Sequence, residues 1–145
     1  MKKKLTVVIP AFNEAKYISN LVKKINAVNL SKLNFSKEII FVDDGSTDDT
    51  KIIIKKNKNV RYFKQHNQGK GSAVQKGIKN ASGSVVLVQD ADLEYDPKDY
   101  PKLLKPFLVN KKIAVYGSRY LHKNIFSNKF KKGNKQSYLA YIFNF

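Results

Sequence analysis

Residues 5–42 read LTVVIPAFNEAKYISNLVKKINAVNLSKLNFSKEIIFV, and the alternation inside this stretch decides the fold class. Leu5-Thr6-Val7-Val8-Ile9 at its start and Glu38 to Val42 at its end are short apolar runs rich in β-branched residues, the pattern of strands buried on both faces of a parallel sheet. Between them Ile18, Leu21, Val22, Ile25 and Val28 recur at helical spacing, with Asn13 placed as an N-cap. The stretch is a strand-helix-strand unit.

The same pattern continues outward. Val85 to Gln89 is a third strong strand, and Val60 to Phe63 and Ile113 to Tyr116 are shorter ones. Asp48 or Ser46 can cap a helix carrying Ile52 and Ile53, while Ala73, Val74, Gly77, Ile78 and Ala81 mark an amphipathic stretch before Val85. Asp99 to Val109 is expected to form one more helix, with Pro101 and Pro106 bearing on its start and continuity. This alternation predicts an α/β protein: a Rossmann-like, doubly wound, mostly parallel sheet with helices on both faces. From about His122 the alternation is lost, so residues 1–121 read as one domain and 122–145 as a basic, aromatic tail.

Composition narrows the chemistry less than the pattern does. The 28 Lys and Arg against 11 Asp and Glu give a net charge of +17, a field that attracts nucleic acid, anionic lipid or polyanionic substrates without choosing among them. Nearly all of it is lysine, in a chain also rich in isoleucine and asparagine, as an AT-rich coding bias produces. No recognition motif for nucleic acid accompanies the charge, and no such partner is expected. The absence of cysteine removes disulfides, thiolate metal sites and a cysteine nucleophile, and suits a reducing compartment. His66 and His122 have no histidine partner at metal spacing. The apolar run after Met1-Lys2-Lys3-Lys4 stops at Pro10, too short for a signal core, and no window approaches the ~20 apolar residues of a membrane span.

In an open α/β sheet, ligands bind beyond the carboxyl ends of the strands. All three strong strands end in polar residues: Pro10-Ala11-Phe12-Asn13-Glu14, Asp43-Asp44-Gly45-Ser46-Thr47-Asp48, and Gln89-Asp90-Ala91-Asp92-Leu93-Glu94. Asp90, Asp92 and Glu94 alternate along a segment expected to be extended, which turns three carboxylates the same way. Such a set is held together by a hard cation, Mg²⁺ or Mn²⁺, with coordination positions left for a diphosphate. A solvated acidic turn is the alternative, and the position after a buried strand favours the metal. Asp43-Asp44 reads either as a turn or as a nucleotide contact, one carboxylate accepting from the N–H edge of a base. Asn67-Gln68-Gly69-Lys70-Gly71 offers small residues and one cation to an anionic ligand, without the Walker spacing. Gly117-Ser118-Arg119 carries one of only two arginines, the side chain suited to bidentate phosphate binding. In the tail, Lys129-Phe130-Lys131-Lys132 and Tyr138 to Phe143 read equally as a membrane-surface segment or as core awaiting partners.

Taken in order, Val8-Ile9-Pro10-Ala11-Phe12-Asn13-Glu14, Val42-Asp43-Asp44-Gly45-Ser46-Thr47-Asp48, Gly69-Lys70-Gly71, Gln89-Asp90-Ala91-Asp92 and Gly117-Ser118-Arg119 resemble family 2 glycosyltransferases of the GT-A fold. Leu93-Glu94-Tyr95-Asp96-Pro97 and Asp99-Tyr100-Pro101 are similar to the polyprenyl-phosphate hexosyltransferase branch, typified by dolichyl-phosphate mannose synthase. The resemblance implies Pro10, Phe12 and Glu14 around the base and ribose, with Asp43 on the base. Asp44 and Lys70 join the nucleotide-sugar contacts, and Asp90 lies by ribose and metal. It further implies Asp92 and Glu94 as metal ligands and Arg119 on a phosphate, so that Asp92 and Arg119 carry catalysis. Phe12 stands where a tyrosine is common, which keeps the stacking face and removes a hydroxyl.

The implied activity is an inverting, metal-dependent transfer of hexose from a UDP- or GDP-sugar to a lipid phosphate, at the inner face of the membrane. An acceptor phosphate is already anionic, in keeping with the lack of an evident general base. Relatives of this kind continue past the length of this chain with an acceptor side. The alternative expectation is therefore a donor-binding fragment without turnover, and behind it stands a basic nucleic-acid-binding module argued from charge alone. Oligomeric state has no signature in the sequence.

Overall fold

The computed structural model describes residues 2–109, 113–116 and 141–144. Strands β1 (Lys3–Ala11), β2 (Phe35–Asp43), β3 (Val60–Lys64), β4 (Val85–Val88), β5 (Ala114–Tyr116) and β6 (Tyr141–Asn144) form one sheet in the order β3-β2-β1-β4-β6-β5. The pairs β1–β2, β2–β3 and β1–β4 are parallel, and β6 runs antiparallel to both β4 and β5. The chain winds from β1 to β2 and β3 on one side, then returns to place β4 on the other side of β1. That reversal puts the ligand-binding crevice of such a sheet between β1 and β4.

Alternate residues of the central strands enter opposite layers, as the two-residue period of a strand requires. Leu5, Val7 and Ile9 of β1, with Ile39 and Phe41 of β2, pack against Ile18, Leu21, Val22 and Ile25 of α1 (Ala15–Ala27). Ile54 of α2 (Thr50–Lys55), Leu104 of α4 (Tyr100–Leu104) and Phe107 of α5 (Pro106–Val109) close the same layer. On the other face Ile40 and Val42 meet Ala73 of α3 (Lys70–Lys79), and Gly77 of α3 lies so close to Val8 that a Cβ there would collide with the valine methyl. The expected strands, helices and two-faced layering are thus present, with the strand registers set by runs such as Val7 opposite Ile39 and Leu87.

Three local expectations are corrected. Asn13 does not cap α1: its φ is 56°, Glu14 holds the N-cap position, and the Glu14 and Ala15 N–H groups donate to Thr50 Oγ1 and Asp48 Oδ2. The single helix expected over Asp99 to Val109 is a 3₁₀ turn (Pro97–Asp99) followed by α4 and α5. Pro106 breaks it because proline lacks the N–H and its ring crowds the preceding turn, whereas Pro101 sits in the tolerated first turn. Tyr141–Asn144, assigned with the tail from sequence, is strand β6 inside the sheet. Gly117, Ser118, Arg119, His122 and the basic segment at 129–132 lie outside the described residues.

Far from the crevice, near the amino ends of the strands, the Glu38 carboxylate accepts from Thr6 Oγ1 at 2.6 Å, Ser82 N at 3.0 Å, Ser82 Oγ at 2.9 Å and Arg61 at 2.7 Å. Burial opposes its charge, but these donors outweigh that and hold its pKa at about 2. Among the described residues, no helix is long and apolar enough to cross a membrane.

Candidate active site

A cavity of about 260 Å³ opens at the carboxyl ends of β1, β2 and β4, lined by Pro10, Ala11, Phe12, Glu14, Asp44, Lys70, Asp90, Ala91 and Asp92. Seven of the ten residues expected at the site, drawn from four separated stretches, therefore meet in one place.

The loop after β1 is laced to the loop after β2. Asn13 N donates to Ser46 Oγ at 3.0 Å, Thr47 N donates to Asn13 Oδ1 at 2.9 Å, and Glu14 N donates to Thr50 Oγ1 at 2.9 Å. Asp48 joins two helix starts, accepting from Ala15 N of α1 at 3.2 Å and from Thr50 N of α2 at 2.9 Å. These bonds fix the backbone after Phe12, and Asp44 N donating to Ala11 O at 2.9 Å fixes it before, while the Phe12 ring is 45% exposed at the cavity. A large aromatic left in water on a rigid loop is placed to stack on a flat ligand.

Asp43 and Asp44 divide two tasks. Asp43 is fully buried, with Oδ1 accepting from Ser46 N at 2.8 Å and Oδ2 from the Tyr62 hydroxyl at 2.7 Å. It does not line the cavity, so the base contact expected of it is replaced by an internal one that shapes the turn at Gly45 (φ 85°). Asp44 reaches the cavity and accepts from Gln65 Nε2 at 2.7 Å, Gln68 N at 3.0 Å and Gly69 N at 2.8 Å. Burial resists its ionisation, and the Gln68, Gln65 and Gly69 donors overcome this and hold the carboxyl below the usual range. Its carboxylate thereby anchors the loop from which Lys70 projects.

The segment after β4 is a turn, not the extended run expected from its alternation. Leu93 adopts φ 65°, and Asp92 Oδ1 accepts from Glu94 N at 3.0 Å. Glu94 consequently lies exposed and outside the cavity lining, and among the described residues no three acidic or histidine side chains converge as a metal site. Asp90 and Asp92 remain in the cavity, and Lys70 Nζ lies 2.7 Å from Asp90 Oδ1 and 2.8 Å from Oδ2. Glu14 is pushed up from the ordinary carboxylate pKa by burial and then by the charges of Asp92, Asp48 and Asp90. Crowded carboxylates beside an open cavity fit a hard cation: Mg²⁺ and Mn²⁺ are commonly held by one or two carboxylates, with phosphate oxygens and water completing the shell.

The turn is held from behind by residues to which the sequence reading gave no role. Gln89 is buried, and its amide donates to Asp90 O at 3.0 Å and Tyr95 O at 3.3 Å while its carbonyl accepts from the buried Tyr100 hydroxyl at 2.9 Å. A glutamine ending an apolar strand was the available signal, because a buried amide must find partners.

The profile of the family described as Glycosyl transferase family 2 matches residues 6–144. The chain belongs to this family. An uncharacterized protein of Methanocaldococcus jannaschii is 38% identical over 130 residues, covering 88% of this chain and 51% of the relative. The dolichol-phosphate mannosyltransferase of Pyrococcus furiosus is 39% identical over 127 residues, covering 81% of this chain and 34% of the relative. Dodecaprenyl-phosphate galacturonate synthase of Rhizobium johnstonii is 37% identical over 106 residues, with 69% and 31% covered. This family 2 chain thus spans from about a third to a half of the length of these relatives. Among solved structures, glucosyl-3-phosphoglycerate synthase of Mycobacterium tuberculosis in complex with Mn²⁺, UDP and phosphoglyceric acid superposes with a TM-score of 0.61 at 30% identity, over 77% of this chain and 41% of that one. The Pyrobaculum calidifontis mannosyltransferase, at 22% identity and TM-score 0.67 over 79% of this chain and 35% of that one, shares the fold. The architecture is the GT-A fold of family 2.

Proposed function

We propose that this chain is the donor-binding part of an inverting glycosyltransferase that takes a hexose from a nucleoside-diphosphate sugar and delivers it to a polyprenyl phosphate. The carrying observation is the cavity itself, where an exposed aromatic, a lysine and three aspartates from four stretches face one space. Phe12 stacks on the base, Pro10 and Glu14 flank the ribose, and Lys70 neutralises phosphate. Asp90 and Asp92 present oxygens to Mg²⁺ or Mn²⁺ beside that diphosphate. When bound, the cation supplies Lewis-acid stabilisation of the departing nucleoside diphosphate.

In the displacement, an acceptor oxygen bonds to the anomeric carbon as the bond from that carbon to the diphosphate oxygen breaks, and the nucleoside diphosphate leaves with the electron pair. A lipid-phosphate acceptor is already ionised, so general-base assistance, worth about 10²–10⁴-fold elsewhere, is not needed. The Pyrococcus and Rhizobium relatives, named for dolichol-phosphate and dodecaprenyl-phosphate chemistry, support this acceptor class. Arg119 is assigned to a phosphate of donor or acceptor. With a lipid-phosphate acceptor the chain would lie peripherally at the inner face of the membrane, where its net charge of +17 is attracted to anionic headgroups.

Calorimetric titration with UDP- and GDP-sugars, with and without Mn²⁺, tests the donor site in wild type and Asp92→Asn. Metal-dependent binding lost in the variant is expected; equal binding by the variant sinks the metal assignment. Radiolabelled sugar transfer to a polyprenyl phosphate in detergent tests turnover.

A further inference from the structure

The cavity carries four carboxylates, Glu14, Asp44, Asp90 and Asp92, against one ammonium, Lys70, among its described lining residues. That ammonium does not sit between the acids. It straddles Asp90, 2.7 Å from one oxygen and 2.8 Å from the other, covering both atoms through which Asp90 would hold a cation. We infer that Lys70 is an exchangeable counter-ion: it occupies Asp90 while the cavity is empty, and passes to a phosphate oxygen when metal and diphosphate enter together. The inference rests on the donor site proposed above and adds to it an order and a coupling.

The geometry suits an exchange because the root of Lys70 is fixed and its tip is not. Gln68 N and Gly69 N are both held by the Asp44 carboxylate, so the backbone entering α3 is pinned immediately before the lysine. The Lys70 side chain is 61% exposed, and its four-carbon stem swings without moving that backbone. The other half of the pair is the more enclosed, with the Asp90 side chain only 16% exposed. A divalent cation approaching alone must therefore displace the ammonium from its carboxylate into water, with no new anion offered in exchange, or share one carboxylate with a like charge. A diphosphate arriving with the metal changes this, because it offers the lysine new oxygens at the moment Asp90 is claimed. Glu14 and Asp92 are in the same field, as the upward push on Glu14 records, so the cavity still attracts a second positive charge after the lysine leaves. Metal and nucleotide should then each tighten the other, by the same factor, as linkage demands.

The test uses the whole chain and the free-Mn²⁺ signal in electron paramagnetic resonance, with Mn²⁺ titrated alone and in the presence of saturating UDP or, separately, GDP. Lys70→Met is expected to bind Mn²⁺ alone on the order of 2- to 5-fold more tightly than wild type, the scale of a partly exposed ion pair. Its enhancement by nucleotide should shrink, because the lysine no longer contributes to the exchange. Lys70→Arg, which keeps the charge, should follow wild type and guards against a folding artefact. Unchanged or weaker Mn²⁺ affinity in Lys70→Met, or an undiminished nucleotide enhancement, overturns the exchange while leaving the donor site standing. Wild type that binds no Mn²⁺ even with nucleotide, or Asp92→Asn that binds it undiminished, overturns the donor site and the exchange with it.

Discussion

The Tyr100 hydroxyl donates to the Gln89 side-chain carbonyl at 2.9 Å, and both residues are shielded almost completely from solvent. Gln89 spends its amide on the carbonyls of Asp90 and Tyr95, the two ends of the turn that carries Asp92. Gln89→Leu keeps bulk but strands those carbonyls. It is expected to cost about 1–3 kcal/mol in denaturant unfolding and to weaken nucleotide-sugar binding. Tyr100→Phe should act the same way to a smaller degree. Donor affinity unchanged in both, measured by calorimetry, would separate this pair from the site.

Phe12 should behave in the opposite manner. It is 45% exposed and packs no core, so Phe12→Ala should leave the unfolding midpoint nearly unmoved. Loss of stacking on a base should weaken nucleotide binding by about 1–3 kcal/mol, read by the same titration. Phe12→Tyr, which restores the residue common at this position, should retain affinity.

Stability should fall in acid through Glu38. Its folded pKa of about 2 lies below the model-compound value of 4.5, so its contribution is complete above about pH 4.5 and is lost as pH falls from there towards 2. Glu38→Gln should flatten the pH dependence of the unfolding free energy in that window. At neutral pH the substitution should cost on the order of 2 kcal/mol.

Two glycines of α3 predict opposite signs. A Cβ at Gly77 meets the Val8 side chain, so Gly77→Ala forces α3 off the sheet and should cost about 1–3 kcal/mol. A Cβ at Gly71 meets nothing within 4 Å, and Gly71→Ala should stabilise the helix by roughly 0.5–1 kcal/mol. Thermal melts of the two variants check both.

What the sequence disclosed was what local periodicity encodes. Leu5 to Ile9, Glu38 to Val42 and Val85 to Gln89 announce buried strands because both faces are apolar, and Ile18 to Ile25 announce α1 by spacing. Their polar ends located the cavity, since strand ends share one rim in such a sheet. What escaped depends on backbone turns and distant partners. Alternation assumed an extended chain through Asp90, Asp92 and Glu94, and the left-handed Leu93 broke it. Neighbouring Asp43 and Asp44 look equivalent in sequence, yet one points inward to Tyr62 and the other reaches the rim. Asn13 has the chemistry of a cap and spends it on Thr47, in a loop more than thirty residues away. Tyr141-Ile142-Phe143 is an apolar run that fits a strand, a core segment or a membrane surface equally, and what makes it a strand is the edge of β4.

That last pairing bears on how the protein is made. A ribosome releases β1 to β4 well before Tyr141–Asn144, so during synthesis the outer edge of β4 stands unpaired, with Val85, Val86 and Leu87 offering backbone groups to any extended peptide nearby. Among the described residues β6 is what connects β5 to the sheet, so β5 joins after β6 has taken that edge. The nascent chain therefore passes through a stage in which a four-stranded sheet with a sticky margin waits for β6, and this is the interval in which chaperones or aggregation would compete for it.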